Sequence, residues 1–143
     1  MKKIPILIAD DDEDDRFLIK AAFEECGIEM PLVFVQDGLE LMQYLKNQGE
    51  YANTIVYPLP SLILMDLNMP KKDGRESIHE IRSTAFLRKI PIIVLSTSNA
   101  PNDIKICYEL GANSFITKPS SFEGLVDTIK SLKKFWFEIA ILP

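Results

Sequence analysis

The stretch ILIADDDEDDR, residues 6–16, runs four apolar residues into six consecutive carboxylates and then an arginine. Four uninterrupted apolar residues suit a short strand covered on both faces. Acid stacked behind such a strand serves solubility, helix initiation or a site. Asp12 stands where a helix cap belongs. Glu13, Asp14 and Asp15 then fall in the first turn, where they complement the helix dipole by ~0.3–1 kcal/mol each at best. That leaves Asp10 and Asp11 at the strand end, free for chemistry. A calcium loop on Asp10, Asp12 and Asp14 is excluded: Asp15 stands where glycine is needed and Ala21 where the bidentate glutamate belongs.

Outward from this stretch, strand-like and helix-like segments alternate. Residues 4–9, 32–36, 62–65, 92–95 and 114–117 are short, apolar or β-branched, and bounded by polar or turn residues. Between them, Phe17, Leu18, Ala21, Ala22 and Cys26 recur at helical spacing up to Gly27. LELMQYLKN and ESIHEIRST make a second and a third helix. Pro101 and Gly111 bracket a fourth. The fifth carries Ser120 and Glu123 as a capping box, then Leu125, Ile129, Leu132 and Trp136 on one stripe. Five β-α units make an α/β fold: a doubly wound, five-stranded parallel sheet with helices on both faces.

At 143 residues the chain fits one domain, with 47% hydrophobic and 26% charged residues and a net charge of −5. The acidic balance argues against nucleic acid as a partner. Nothing approaches a membrane span, and the MKKIPILIADD start turns acidic too early for a signal peptide. Cys26 and Cys107 lack metal spacing and are expected as buried thiols of a cytoplasmic protein. Residues 47–60 form a long connection with Tyr51 and Tyr57, expected to pack as a surface loop. The apolar tail 135–143 has two open readings: a flap over the last helix and the sheet edge, or a homodimer surface.

In an open parallel sheet, chemistry gathers at the carboxyl ends of the strands. Asp10 and Asp11 follow the first strand, Asp66 the third, Ser96 the fourth and Lys118 the fifth. Three carboxylates that close repel unless a cation joins them, and Mg²⁺ is the hard ion such a set holds beside phosphate oxygens. Carboxylate, metal, lysine and hydroxyl together suit phosphoryl transfer, with Asp66 as nucleophile. The lone histidine, His79, falls on a helix away from this rim.

LIADDDEDDR, LMDLNMPKKDG, IPIIVLSTS and ELGANSFITKP together resemble the receiver domain of two-component response regulators. The resemblance covers nearly the whole chain, so one receiver domain over residues 1–143 is the expectation. It implies the flavodoxin-like strand order 2-1-3-4-5 and a phosphoryl group accepted on Asp66 from a histidine kinase or phosphotransfer protein. It further implies Mg²⁺ on Asp11, Asp66 and the backbone carbonyl of Asn68, with Asp10 acting through water. Lys118 would pair with a phosphoryl oxygen, and Lys118-Pro119 would be cis. Ser96 and Phe115 would form the switch, remodelling a face built from the fourth helix, fifth strand and fifth helix that serves a downstream protein or a homodimer.

This sequence departs from the common family pattern in having Ser rather than Thr at position 96, a bulky Thr97, and Phe rather than Tyr at 115. Asn68 and Ser98 occupy the family's positions flanking the hydrolytic water. The long loop, KKDGRE and FWFEIAILP look most like single-domain receivers paired with phytochrome-type kinases. Two rivals remain to be weighed. A Mg²⁺-dependent aspartyl phosphatase would want a second acid where Asn68 stands and its nucleophile on the first strand. A receiver-like scaffold that has lost phosphate chemistry would not keep all five site residues.

Overall fold

The computed structural model describes residues 4–142. Its strands are β1 (Ile6–Ala9), β2 (Leu32–Val35), β3 (Leu62–Met65), β4 (Ile92–Ser96) and β5 (Ser114–Thr117). Its helices are α1 (Glu13–Glu25), α2 (Gly38–Leu45), α3 (Gly74–Ser83), α4 (Pro101–Leu110) and α5 (Phe122–Leu132). A 3-10 turn, Gly49–Tyr51, follows α2, and a π-helical extension, Lys133–Ile139, follows α5. All strand pairings are parallel, in the order β2-β1-β3-β4-β5 expected from the sequence. The Met1-Lys2-Lys3 start and the last tail residue, Pro143, lie outside the described residues.

Alternation along each strand divides the interior in two. Leu7, Ile63, Met65 and Val94 enter one core with Leu41, Ile78 and Ile81 of α2 and α3. Ile6, Ile8, Leu64 and Leu95 enter the other with Ile19 and Phe23 of α1 and Leu125 and Ile129 of α5. Each fully buried aliphatic side chain contributes about 1.5–3 kcal/mol by leaving water. These two layers hold the strand ends level, which is what positions a site.

Several expected boundaries move for identifiable reasons. The first strand opens at Ile6 because Pro5 has no N–H to give; Ile6 N donates to Pro31 O at 2.9 Å instead. β2 stops at Val35 because Gln36 N donates to the Glu40 side chain at 2.7 Å. α3 begins two residues before the expected Glu76, on a capping box formed by Asp73 and Glu76. The α5 cap is Ser121, not Ser120: Ser121 Oγ accepts from Gly124 N at 3.0 Å. In this register Gly124 sits against Pro119, where an added Cβ would lie 2.9 Å from the proline ring.

Cys107 is buried as expected, but Cys26 is only half-buried; both are free thiols. Residues 47–60 do pack as a surface loop. The rings of Tyr44, Tyr51 and Tyr57 lie 5.0–5.9 Å apart, and Asn47 Nδ2 donates to the carbonyls of Tyr51 and Tyr57. Trp136 and Phe137 of the tail pack against the α1–α5 core, while Phe135, Ile139 and Ile141 stay exposed.

Arg82 of α3 is the main polar tie on the α3–α4 side. It donates to the carbonyls of Gly111, Arg88 and Ile90 and to Asn113 Oδ1 at 2.8–2.9 Å. Gly111 ends α4 with φ 115°, a left-handed turn suited to glycine. Arg82→Ala takes the guanidinium donor from the part-buried Gly111 and Ile90 carbonyls and is expected to cost about 1–3 kcal/mol in urea denaturation. A loss under about 0.5 kcal/mol would contradict the role assigned to it.

Candidate functional site

The sheet's hydrogen-bond ladder runs one residue past each strand and sets the site at a common level. Asp10 N donates to Val35 O (3.0 Å), Asp66 N to Ala9 O (2.8 Å) and Lys118 N to Ser96 O (2.7 Å). Carboxylate oxygens of Asp10, Asp11 and Asp66 therefore lie within 4.8 Å of one another. Asp10 is buried, Asp66 half-buried and Asp11 exposed. All three offer hard, anionic oxygens, the donor set suited to a hard divalent cation. No helix among the described residues is long and apolar enough to cross a membrane.

Local contacts fix each side chain. Asp10 Oδ1 accepts from Asp12 N at 3.0 Å, and Arg16 Nη1 donates to Asp10 O at 2.8 Å. Asp66 Oδ1 accepts from Leu67 N at 2.7 Å, leaving Oδ2 toward Lys118. Gly74 N donates to Leu67 O at 2.7 Å. A Cβ on Gly74 would lie 2.9 Å from the Asp66 carbonyl, so the start of α3 sits hard against the loop that carries Asp66. On its other side this loop is tied to α2, with Gly38 N donating to Lys72 O at 3.0 Å.

Lys118 reaches over the acidic set from β5. Its Nζ lies 2.8 Å from Asp10 Oδ2, 2.8 Å from Asp15 Oδ2 and 3.3 Å from Asp66 Oδ2. Burial works against the Lys118 charge, but the bonds to Asp10 and Asp15 outweigh it and hold the ammonium above the usual lysine range. Burial likewise lifts the Asp10 and Asp66 carboxyls above the usual range, and their bonds to Lys118 only partly offset it.

Asp15 is the residue that sequence reasoning missed here. Its place in the sequence marks it as a helix-dipole acid, and it does sit in the first turn of α1, where its N–H donates to Asp12 Oδ1. Only the three-dimensional approach of β5 reveals its second partner. A second unforeseen set lies on the α3–α4 side. Ser98 Oγ donates to Asp103 Oδ2 at 2.6 Å, and Arg75 Nη2 donates to Asp103 Oδ1 at 2.7 Å.

The other expected residues lie where the strands place them. Ser96 is fully buried, its Oγ accepting from Ser98 N at 3.2 Å. Phe115 is half-buried against the α2–α3 core, its N–H donating to Tyr108 Oη at 3.0 Å. Asn68 and His79 are exposed. The Lys118-Pro119 bond is a correction: it is not cis, there being no cis peptide among the described residues. An X-Pro bond separates its isomers by only about 0.5–1 kcal/mol, so a motif alone does not determine which forms.

An acidic rim crossed by a lysine on a 2-1-3-4-5 parallel sheet defines a phosphoryl-accepting switch domain. Residues 6–130 match the response regulator receiver domain model, and the chain belongs to that family. It is 39% identical to the response regulator Rcp1 of Synechocystis sp. over 138 residues, 96% of this chain and 92% of Rcp1. The Mn²⁺-bound structure of Rcp1 superposes with a TM-score of 0.88 at 38% identity, covering 98% and 99% of the two chains. Phosphorylated RcpA, a cyanobacterial phytochrome response regulator, gives 0.91 at 42% identity over 99% of each chain. RPA3017 of R. palustris, a response regulator in red light signalling, gives 0.93 at 33% identity over 98% of each.

The protein is thus a receiver-domain response regulator of two-component signalling, closely related to the phytochrome-associated regulators. Its chemistry is phosphoryl transfer onto and off its own acidic cluster rather than turnover of an external substrate. The aspartyl-phosphatase rival fails on topology as well, since the acidic pair follows β1 and Asp66 follows β3.

The raised Asp66 carboxyl has a stability consequence. A carboxyl whose pKa rises on folding favours the fold while protonated, and that contribution is lost as pH rises through the folded value. Asp66→Asn removes the penalty while its amide oxygen still accepts from Leu67 N. In metal-free buffer near neutral pH the variant is expected to melt a few degrees above wild type. The gap should close as the pH falls into the carboxylate range; a variant that melts lower at neutral pH would contradict this electrostatic account.

Proposed function

We propose that Asp66 is the phosphoacceptor and that Asp10, Asp11 and Asp66, with the backbone carbonyl of Asn68, hold Mg²⁺. The observation that carries this reading is the convergence of three carboxylates within 4.8 Å beneath an ammonium 3.3 Å from Asp66 Oδ2. Bound there, Mg²⁺ would neutralise charge on the oxygens of the transferred group. The residues do the remainder. Asp66 Oδ1 is held by Leu67 N, which leaves Oδ2 to attack phosphorus. The P–N bond of the donor phosphohistidine breaks, its electron pair returns to the imidazole, and an acyl phosphate remains. Lys118 then pairs with a phosphoryl oxygen. No general base is needed, because the attacking carboxylate is ionised.

The same reading makes Ser96 and Phe115 the switch, with Pro119 anchoring the turn after Lys118. Ser96 Oγ leaves its bond with Ser98 N to donate to the phosphoryl group, and the β4–α4 segment repacks as a population shift. A histidine kinase of phytochrome type is the donor that the likeness to RcpA and RPA3017 supports, and the site is a cytoplasmic one.

The exposed Phe135, Ile139 and Ile141, the last 97% accessible, support the tail as a homodimer surface. The α4–β5–α5 face, which exposes Tyr108 and Phe122, is left for the downstream protein.

Incubation with Mg²⁺ and acetyl phosphate is expected to add ~80 Da by intact mass, the mass of one phosphoryl group, and Asp66→Asn to abolish it. An adduct that survives Asp66→Asn would overturn the acceptor assignment. Truncation after Lys134 is expected to convert a dimer to a monomer in size-exclusion chromatography with light scattering; an unchanged mass would remove the tail from the interface.

A further inference from the structure

Lys118 has more partners than a lysine serving one carboxylate needs. Its ammonium is as close to Asp15 as to Asp10, 2.8 Å in each case, and 0.5 Å farther from Asp66 at 3.3 Å. Asp10 is locked by its strand position and by Asp12 N. Asp15 belongs to a different element, the first turn of α1, and its side chain is 37% accessible. The lysine side chain itself is only 11% accessible, so whatever holds the ammonium determines which way a buried charge points.

We infer that Asp15 is a positioning residue that competes with the phosphoryl group for Lys118, holding the ammonium on the α1 side of the rim in the resting protein. This rests on the reading of Asp66 as the phosphoacceptor. An ammonium has three donor directions, and Asp10, Asp15 and Asp66 take all three. Phosphorylation of Asp66 Oδ2 ends that contact, the longest of the three, and a phosphoryl oxygen takes Lys118 over fully only when the ammonium turns from the α1 side toward Asp66. Asp15, the most accessible of the three and the one outside the sheet ladder, is the partner released. The bond lost there subtracts from the charge-assisted bond gained at the phosphoryl group. Asp15 thereby lowers the occupancy of the phosphorylated state, and the Asp15–Lys118 bond opens as that state forms.

Beryllofluoride, a tetrahedral mimic of a carboxyl-bound phosphoryl group, tests this at equilibrium when titrated calorimetrically with Mg²⁺ present. Asp15→Asn keeps the shape and is expected to bind the mimic roughly three- to tenfold more tightly than wild type, the scale of one partly exposed ion pair. Asp15→Glu should restore affinity toward wild type. Asp14→Asn removes the same charge from the same turn without touching Lys118 and should change little. In a Lys118→Ala background the Asp15→Asn gain should disappear, because the competition runs through the lysine.

Equal binding by wild type and Asp15→Asn overturns the inference and leaves the site reading standing. So does a gain that persists without Lys118, since charge removal alone would then explain it. Failure of wild type to bind the mimic removes the site reading first and this inference with it.

Discussion

The rest of the molecule depends on one electrostatic constraint: carboxylates from two strand ends are held together while a single buried lysine faces them. Two unit charges 4.8 Å apart repel by roughly 3 kcal/mol at an effective dielectric constant of about 20. The sheet imposes this. Ala9 pairs with Met65, so the residues that follow must be neighbours, and ladder bonds from Asp10 N and Asp66 N hold them there. A fold that stores repulsion at one rim is one whose structure responds when charge arrives or leaves.

Two chains of polar contacts lead out from the rim. One runs through Ser96, whose hydroxyl accepts from Ser98 N, and then through Ser98 to Asp103 and Arg75, joining the β4–α4 loop to both α4 and α3. The other runs through Lys118 to Asp15 and the start of α1. The loop carrying Asp66 is packed against Gly74 on one side and hydrogen-bonded to Gly38 on the other. A braced acceptor loop with short polar links leading away from it suits a domain whose surroundings register a charge change at the rim.

The sheet and most of the rim were legible because they rest on local signals. Uninterrupted runs such as Leu62–Met65 admit little besides a strand buried on both faces, and the polar residue behind each run marks its carboxyl end. What stayed hidden depends on contacts between distant segments. Asp15 already had a sufficient local role at the helix start, so nothing in its neighbourhood announced Lys118, 103 positions away. Arg82 gave no sign of its bonds to Gly111 and Asn113, which lie on the next crossover. The Ser120-x-x-Glu123 spacing points to Ser120 as the cap, whereas the helix starts one residue later, with Ser121 Oγ taking Gly124 N. The tail divided its apolar residues between two fates, with Trp136 and Phe137 covering the α1–α5 core and Phe135, Ile139 and Ile141 facing outward. A composition count has no means of making that division.

Anomalous diffraction from crystals soaked in Mn²⁺ addresses the central claim most directly, because it locates the cation without reference to activity. The account predicts one strong peak in direct contact with the Asp11 and Asp66 carboxylates, lost in crystals of Asp11→Asn. A rim that shows no peak at saturating Mn²⁺, or a peak held by other residues, would contradict it.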